Sequence, residues 1–469
     1  MKRIAVNTLL LFAGICAAAA PRALVDIRDF GAVGDGRTIN TQSINAAIKD
    51  CSDKGGGIVA VPEGVFVSGT VQLRSNVTLH LAPKAVLKGS DSPADYTSFI
   101  PSKDLSRYDS GEGGDNANSS KDANWNKVLL LAAGISNFAI EGEGTIDGSH
   151  VFDPNGEEKM RGPHTIIIGE SRNFSLSDIN IECASNYAVM CYEIENAVFS
   201  NLDISQGWDG IHIRGGEHVQ IRNCSFRTGD DAIAGGFWHD MVISDCDINT
   251  SCNGIRMIMP CDGLTVSGCR FHGPGEYPHR TSGALRRTNM LSAILLQPGG
   301  WGKAPGDVRN VTISDITVDN VNNPLMFILN EGNNGRDIRV ERLKATRVNR
   351  YASSIESWKG GEFANVSFKD IDIEYAGNAD RSLADMPISQ PDVDARELPC
   401  WGWYVNNVLD VTFENITLSC AADGDIRPVF IFDNVASAVF DNVKYPVKAG
   451  VEPIRYIRSA KVTVNNTAL

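Results

Sequence analysis

Three stretches of this sequence gather side chains that can move protons: Gln206-Gly-Trp-Asp-Gly-Ile-His-Ile-Arg214, Thr228-Gly-Asp-Asp-Ala-Ile-Ala-Gly235 and Ser251-Cys-Asn-Gly-Ile-Arg-Met257. Their isoleucines, Ile211, Ile233 and Ile255, recur every 22 residues. Superposed on that interval, Asp209, Asp231 and Asn253 fall in one column, with Asp230 beside Asp231. His212, Ala234 and Arg256 form the next column outward, followed by Arg214, Gly236 and Ile258. If the interval is one turn of a repeating structure, three carboxylates from two successive turns meet. Like charges that close resist joint ionisation, so at least one is expected to hold its proton to higher pH than usual. One protonated and one ionised carboxyl is the pairing that cleaves a glycosidic bond. The first protonates the leaving oxygen, and the second activates water or attacks the anomeric carbon.

An aspartate before a glycine is also ordinary turn chemistry. Function is argued by the gathering of Asp209, Asp230 and Asp231 with His212 and two arginines in the adjoining columns. Arg214 and Arg256 are expected to grip an acidic sugar's carboxylate, with neutralisation of the stacked acids as the alternative. His212 is expected to orient a carboxylate or bind sugar. Asn253 joins the binding set, as does Trp208, which adjoins Asp209 and offers a ring to a sugar face. Trp301 and the remaining tryptophans are read mainly as packing. Tyr187, Arg286, Arg287, Glu356 and Lys359 are weaker candidates for the walls of a groove.

The elements that must position these groups are read from a repeat. Short β-forming phrases recur, most opened by a polar or turn residue: Asn76-Val-Thr-Leu, Asn137-Phe-Ala-Ile, Asn173-Phe-Ser-Leu, Asn196-Ala-Val-Phe, His218-Val-Gln-Ile, Asp240-Met-Val-Ile, Asn310-Val-Thr-Ile, Asn365-Val-Ser-Phe. Such a unit cannot bury its own apolar face, and a period of about 20–30 residues marks a solenoid. A propeller blade needs about 40 residues, and no amphipathic helix separates the units as a βαβ fold requires. The expected fold is all-β: a right-handed parallel β-helix, one domain over 21–469. Cys224, Cys246 and Cys269 recur at 22 and 23 residues and are expected to form a reduced interior stack. Thr41–Cys51, opened by Asn40 as a candidate N-cap, puts Ile44, Ala47, Ile48 and Cys51 on one helical face and is expected to cap the first coil. Inserts at about 88–126, 272–291 and 376–400 break the rhythm and read as walls around a groove.

Composition bounds the partners. The 469 residues carry a formal charge of −14, which repels phosphate backbones and anionic bilayers, so neither nucleic acid nor membrane is expected as a partner. An anionic substrate therefore needs its own local cluster of cations. Lys2 and Arg3, the apolar run Leu9–Ile15 and the alanines to Ala20 read as a signal peptide over 1–20, cleaved near Ala20, and so as a secreted or periplasmic protein. The eight histidines show no ligand spacing, so no metal and no cofactor is expected. A monomer acting on a polysaccharide or oligosaccharide is the expectation.

Asp26-Ile-Arg-Asp-Phe-Gly-Ala-Val-Gly-Asp-Gly-Arg37, Gly142-Glu-Gly-Thr-Ile-Asp-Gly148 and Gly229-Asp-Asp231 resemble glycoside hydrolase family 28, the polygalacturonase-like enzymes of the pectin-lyase-like β-helix superfamily, over roughly 25–445. The resemblance implies hydrolysis of a pectin-type polysaccharide with inversion. It implies Asp230 as general acid, with Asp209 and Asp231 as the pair that activates water. The sequence departs from the family at three places. Asn-Thr-Asp reads Gly207-Trp208-Asp209, Gly-His-Gly reads Cys252-Asn253-Gly254, and the carboxylate-gripping Arg-Ile-Lys falls near the uncharged Ile294–Gln297. These departures point towards the rhamnogalacturonan hydrolase branch or another sugar. A lyase or epimerase on the same scaffold, and a carbohydrate-binding β-helix without turnover, are the alternatives.

Overall fold

The polar residues that open the repeated phrases are those that bend the chain. Asn76, Asn137, Asn173, Asn196, His218 and Asp240 all hold φ between 50° and 65°, a left-handed region that Asn and Asp tolerate better than other side chains. Their amides also stack from coil to coil. Asn137 Nδ2 donates to Asn76 Oδ1 (3.4 Å), Asn173 to Asn137 (3.3 Å) and Asn196 to Asn173 (3.1 Å). One residue type thus makes the turn and ties it to the next.

The computed structural model describes residues 23–109, 118–281, 283–359 and 361–465. All but two of their strands merge into one sheet of 33 strands. Every pairing in it is parallel except that of Thr97–Ser98 with Lys127–Val128. This is the expected right-handed parallel β-helix. The site lies on five of its strands: β1 (Val189–Ser200), β2 (Ile211–Arg222), β3 (Ile233–Ser244), β4 (Asn253–Met257) and β5 (Ser292–Leu296). Val189, Ile211, Ile233, Ile255 and Ile294 pair in succession across them, and all five are 0% exposed. Beside the site the core is a column of β-branched side chains; further along the spiral the same column passes through Leu325, Trp403 and Phe430. Cys224, Cys246 and Cys269 are buried in the same core, unbonded to one another.

Helix α1 (Thr41–Asp53) buries Ile44, Ala47, Ile48 and Cys51, as its periodicity predicts. It packs against the first coil. Asn40 does not cap it: the side chain instead accepts from Val33 N and donates to the carbonyls of Thr38 and Val33. The amide is drawn away by unpaired backbone groups of the preceding loop. The leader and its cleavage position near Ala20 lie outside the described residues. Among those residues, no helix is long and apolar enough to cross a membrane. The insert 272–291 contains an antiparallel hairpin, His279–Thr281 with Ala284–Arg287. The other two inserts are mainly irregular.

Because the isoleucine column sets the register of the coils beside the aspartates, Ile233→Ala is expected to cost about 2–5 kcal/mol. A guanidinium unfolding midpoint lowered accordingly, with the slope unchanged, is the result to look for.

Candidate active site

Asp209 and Asp231 each lie two residues before an inward isoleucine, and Asn253 opens β4. Backbone bonds Gly210 N to Asp231 O (2.9 Å) and Ala232 N to Asn253 O (3.0 Å) stack the three as the repeat predicts. The neighbouring column is also as read: His212 pairs with Ala234, and Ala234 with Arg256. The side chains project away from the core, onto a face covered by loops.

Asp209 Oδ2 lies 2.7 Å from His212 Nδ1. Arg214 Nε donates to His212 Nε2 (3.1 Å). A guanidinium has only donors, so Nε2 accepts, and the neutral ring carries its proton on Nδ1 and donates it to Asp209. Burial, followed by the charge of Arg214, pushes the His212 pKa well below its ordinary value and holds that neutral form. Tyr187 stacks on the imidazole with ring centroids 5.0 Å apart.

Asp231 accepts from Asn253 through both backbone N (3.0 Å) and Nδ2 (2.9 Å), and Arg256 Nη1 stands 3.6 Å away. Arg256 also donates to Val393 O (2.7 Å) in the third insert, and the Trp301 ring lies 5.0 Å from its guanidinium carbon. Asp230 is ion-paired to Arg161 Nη2 at 2.8 Å, with His279 Nδ1 at 3.6 Å. Arg161 is in turn held by Glu157 (3.2 Å) and Glu158 (3.1 Å), between the rings of Tyr187 and Trp208.

These surroundings drive the three acids apart. Burial raises the pKa of Asp209 well above the carboxylate range, and the nearness of Asp230 and Asp231 raises it further. Burial also raises Asp231, against the pull of Arg256. For Asp230, burial acts upward but His279, Arg161 and Arg287 outweigh it, and its pKa falls. Asp230 therefore carries the charge and Asp209 retains a proton. The cluster thus holds an acid and a base side by side. In this arrangement the charge sits on the residue that the resemblance implies as the acid.

The binding set is differently placed from expectation. Trp208, His212, Arg214, Asn253 and Arg256 are all between 0 and 4% exposed. Arg214 requires correction as a substrate contact. It gives Nη1 to the carbonyls of Tyr108 and Asn118 (3.0 Å each) and Nη2 to Asn118 Oδ1 (2.6 Å), anchoring the first insert. Arg256 follows the alternative reading and neutralises Asp231. His212 and Asn253 orient carboxylates, and Trp208 packs on Arg161.

Arg161, Glu157, Glu158, His279 and Arg287 belong to the site without having been found by periodicity, because they come from the segment between Asp147 and His164 and from the hairpin. Arg287 is expected from the sequence only as a groove wall; for the others the turn at Pro154-Asn155-Gly156 and the Glu157–Arg161 spacing of four are the signals on offer. Among the described residues, two groupings have ligand-like spacing. One is Asp230, Asp231 and Cys252; the other is Glu217, His218 and His239 on the outer surface. In the first, Arg161 on Asp230 and Arg287 Nη2 on Cys252 Sγ (2.9 Å) oppose a cation.

A family profile described as rhamnogalacturonase A/epimerase, pectate lyase-like, matches residues 24–256. The chain is 29% identical to a probable polygalacturonase of Vitis vinifera over 386 residues, covering 75% of this chain and 74% of that one. It is 26% identical over 257 residues to an exo-poly-alpha-D-galacturonosidase of Dickeya chrysanthemi, covering 45% of this chain and 41% of that enzyme. A hyperthermoactive exopolygalacturonase from Thermotoga maritima superposes with a TM-score of 0.62 at 20% identity, over 85% of this chain and 92% of that one, a likeness of fold.

Replacing Arg214 with Met leaves buried acceptors at Tyr108 and Asn118 unpaired, at about 1–3 kcal/mol each. The variant is expected to be cut within 88–126 under limited proteolysis that spares the unmodified protein. A purely substrate-contacting arginine would leave that resistance intact.

Proposed function

We propose that this chain, similar over much of its length to polygalacturonases, is a glycoside hydrolase of family 28 that cleaves glycosidic bonds in a pectin-type polysaccharide with Asp209, Asp230 and Asp231 as its catalytic residues. The observation that carries this reading is the cluster of three carboxylates from two coils, with opposite electrostatic bias on Asp209 and Asp230.

Asp230 has the most exposed side chain of the three (12%, against 4% and 7%) and is the one a leaving oxygen reaches first. It acts as the general acid, taking over the proton that Asp209 holds in the resting site. Asp209, ionised by that transfer and oriented by His212, and Asp231, oriented by Asn253, then hold and deprotonate the attacking water, and the anomeric configuration inverts. Asn253 supplies at Asp231 two hydrogen bonds that fix one carboxylate oxygen. Arg161 and Arg256 lower the mutual repulsion of the acids between turnovers. The leader over 1–20 would deliver the enzyme, as a monomer, to the outside of the cell, where such polysaccharides lie.

Asp230→Asn is expected to lower kcat by about 10²–10⁴-fold on pectic substrates, the usual worth of a general acid, with KM little changed. Reducing-end release from homogalacturonan, rhamnogalacturonan and neutral glycans measures it. Products without the ultraviolet absorbance of an unsaturated uronide separate hydrolysis from elimination. Equal activity in variant and parent would remove Asp230 from the mechanism.

A second expectation concerns pH. The acid must be protonated to act, and its cationic neighbours hold its pKa down, so the alkaline limb of the rate profile lies at acidic pH. Arg161→Gln removes a positive neighbour, raises the pKa of Asp230 and moves that limb upward. A shift of the acidic limb alone would mark Asp230 as the base instead.

A further inference from the structure

The strand end where the family carries its Arg-Ile-Lys has no charge here, and Leu295 and Gln297 are buried. An acidic sugar must therefore be gripped elsewhere. Beyond β5 the chain turns through Gly299 and Gly302, at φ 75° and 133°, and forms one wall of an open cleft of about 420 Å³, within the size range of small-ligand sites. The cleft is lined by Trp301, Lys303, Asn330, Glu331, Lys359 and Gln390, among others.

Its walls are tied together. Asn330 Nδ2 donates to Pro298 O (2.8 Å), and Gln390 Nε2 donates to Asn330 Oδ1 (2.8 Å). Gln297 Nε2 donates to Asp392 O (2.6 Å). Three chain segments, including the 376–400 insert, are thereby locked into one preformed surface. The cleft is also joined to the catalytic cluster: the ring of Trp301 covers Arg256, and Arg256 faces Asp231.

The charge of the cleft runs against that of the molecule. In a chain of net charge −14, it holds the ammoniums of Lys303 and Lys359 against the single carboxylate of Glu331. Both lysines are exposed, and among the described residues neither is engaged in an ion pair. Two free cations beside an accessible indole ring match a hexuronate, whose ring stacks on an aromatic face while its carboxylate meets positive charge. We infer that this cleft is the subsite that takes an unesterified uronate unit of the substrate, with Lys303 and Lys359 reading its carboxylate and Trp301 carrying its ring. The inference rests on the hydrolase reading for its substrate class and names the residues that select for acid over ester.

The test uses trigalacturonate and its methyl ester, with binding measured calorimetrically on the Asp230→Asn protein and steady-state kinetics on the active one. Lys303→Met with Lys359→Met keeps the aliphatic stems and removes only charge. The double variant is expected to bind trigalacturonate about tenfold more weakly, the worth of two screened ion pairs. KM should rise equally and kcat should stay unchanged. The parent's affinity should fall with added salt and the double variant's should not, and binding of the methyl ester should be the same in both. Trp301→Ala should weaken acid and ester alike. Unchanged acid binding in the double variant, equal losses on acid and ester, or no binding of trigalacturonate by the parent would each overturn the assignment. Binding with this pattern but no product from the active protein would sink the hydrolase reading while leaving the subsite standing.

Discussion

Inward β-branched side chains lock the lateral register of the spiral, and with it the spacing of everything on the outer face. Coils rise by about 4.8 Å, the distance between paired strands, and Ile211, Ile233 and Ile255 sit above one another. Whatever stands two residues before each isoleucine is therefore stacked on its counterpart, whether or not the charges suit. Asp209 and Asp231 are forced together by the packing of a core they do not enter. That compulsion, with Asp230 beside Asp231, is what gives like charges a shared environment in which Asp209 holds a proton and Asp230 does not.

The loops answer this enforced repulsion. Arg161 reaches Asp230 from one excursion and His279 from another, while Arg256, on the spiral itself, meets Asp231 and is steadied by a third. The fixed scaffold concentrates negative charge, and irregular chain supplies the positive charge that offsets it. Arg214 shows the same division of labour from the opposite side, a scaffold residue that anchors a loop. The loops thus set both the charge balance and the shape of the groove.

What could be read from the chain alone follows this division. The columns, the buried isoleucines, the capping helix and the cysteine stack all obey a period and were visible in it. Arg161, His279, Glu157 and Arg287 obey none; they are brought to Asp230 by loops whose paths no local pattern encodes. The same loops explain why Arg214 and His212, placed correctly in their columns, are buried instead of open to a ligand: strand alternation tells which way a side chain points but not what lies above it. Asn40 failed as a cap for a related reason, since its amide had unpaired backbone groups nearer than the helix end.

The ten thiols in the described chain form no disulfide, and the three in register fill the core while each donates to a backbone carbonyl, of Arg222, Ser244 and Ser267 in turn. Among the described residues, adjacent coils are held in register by hydrogen bonds and packing with no disulfide between them, so a reducing agent has no cross-link to break there.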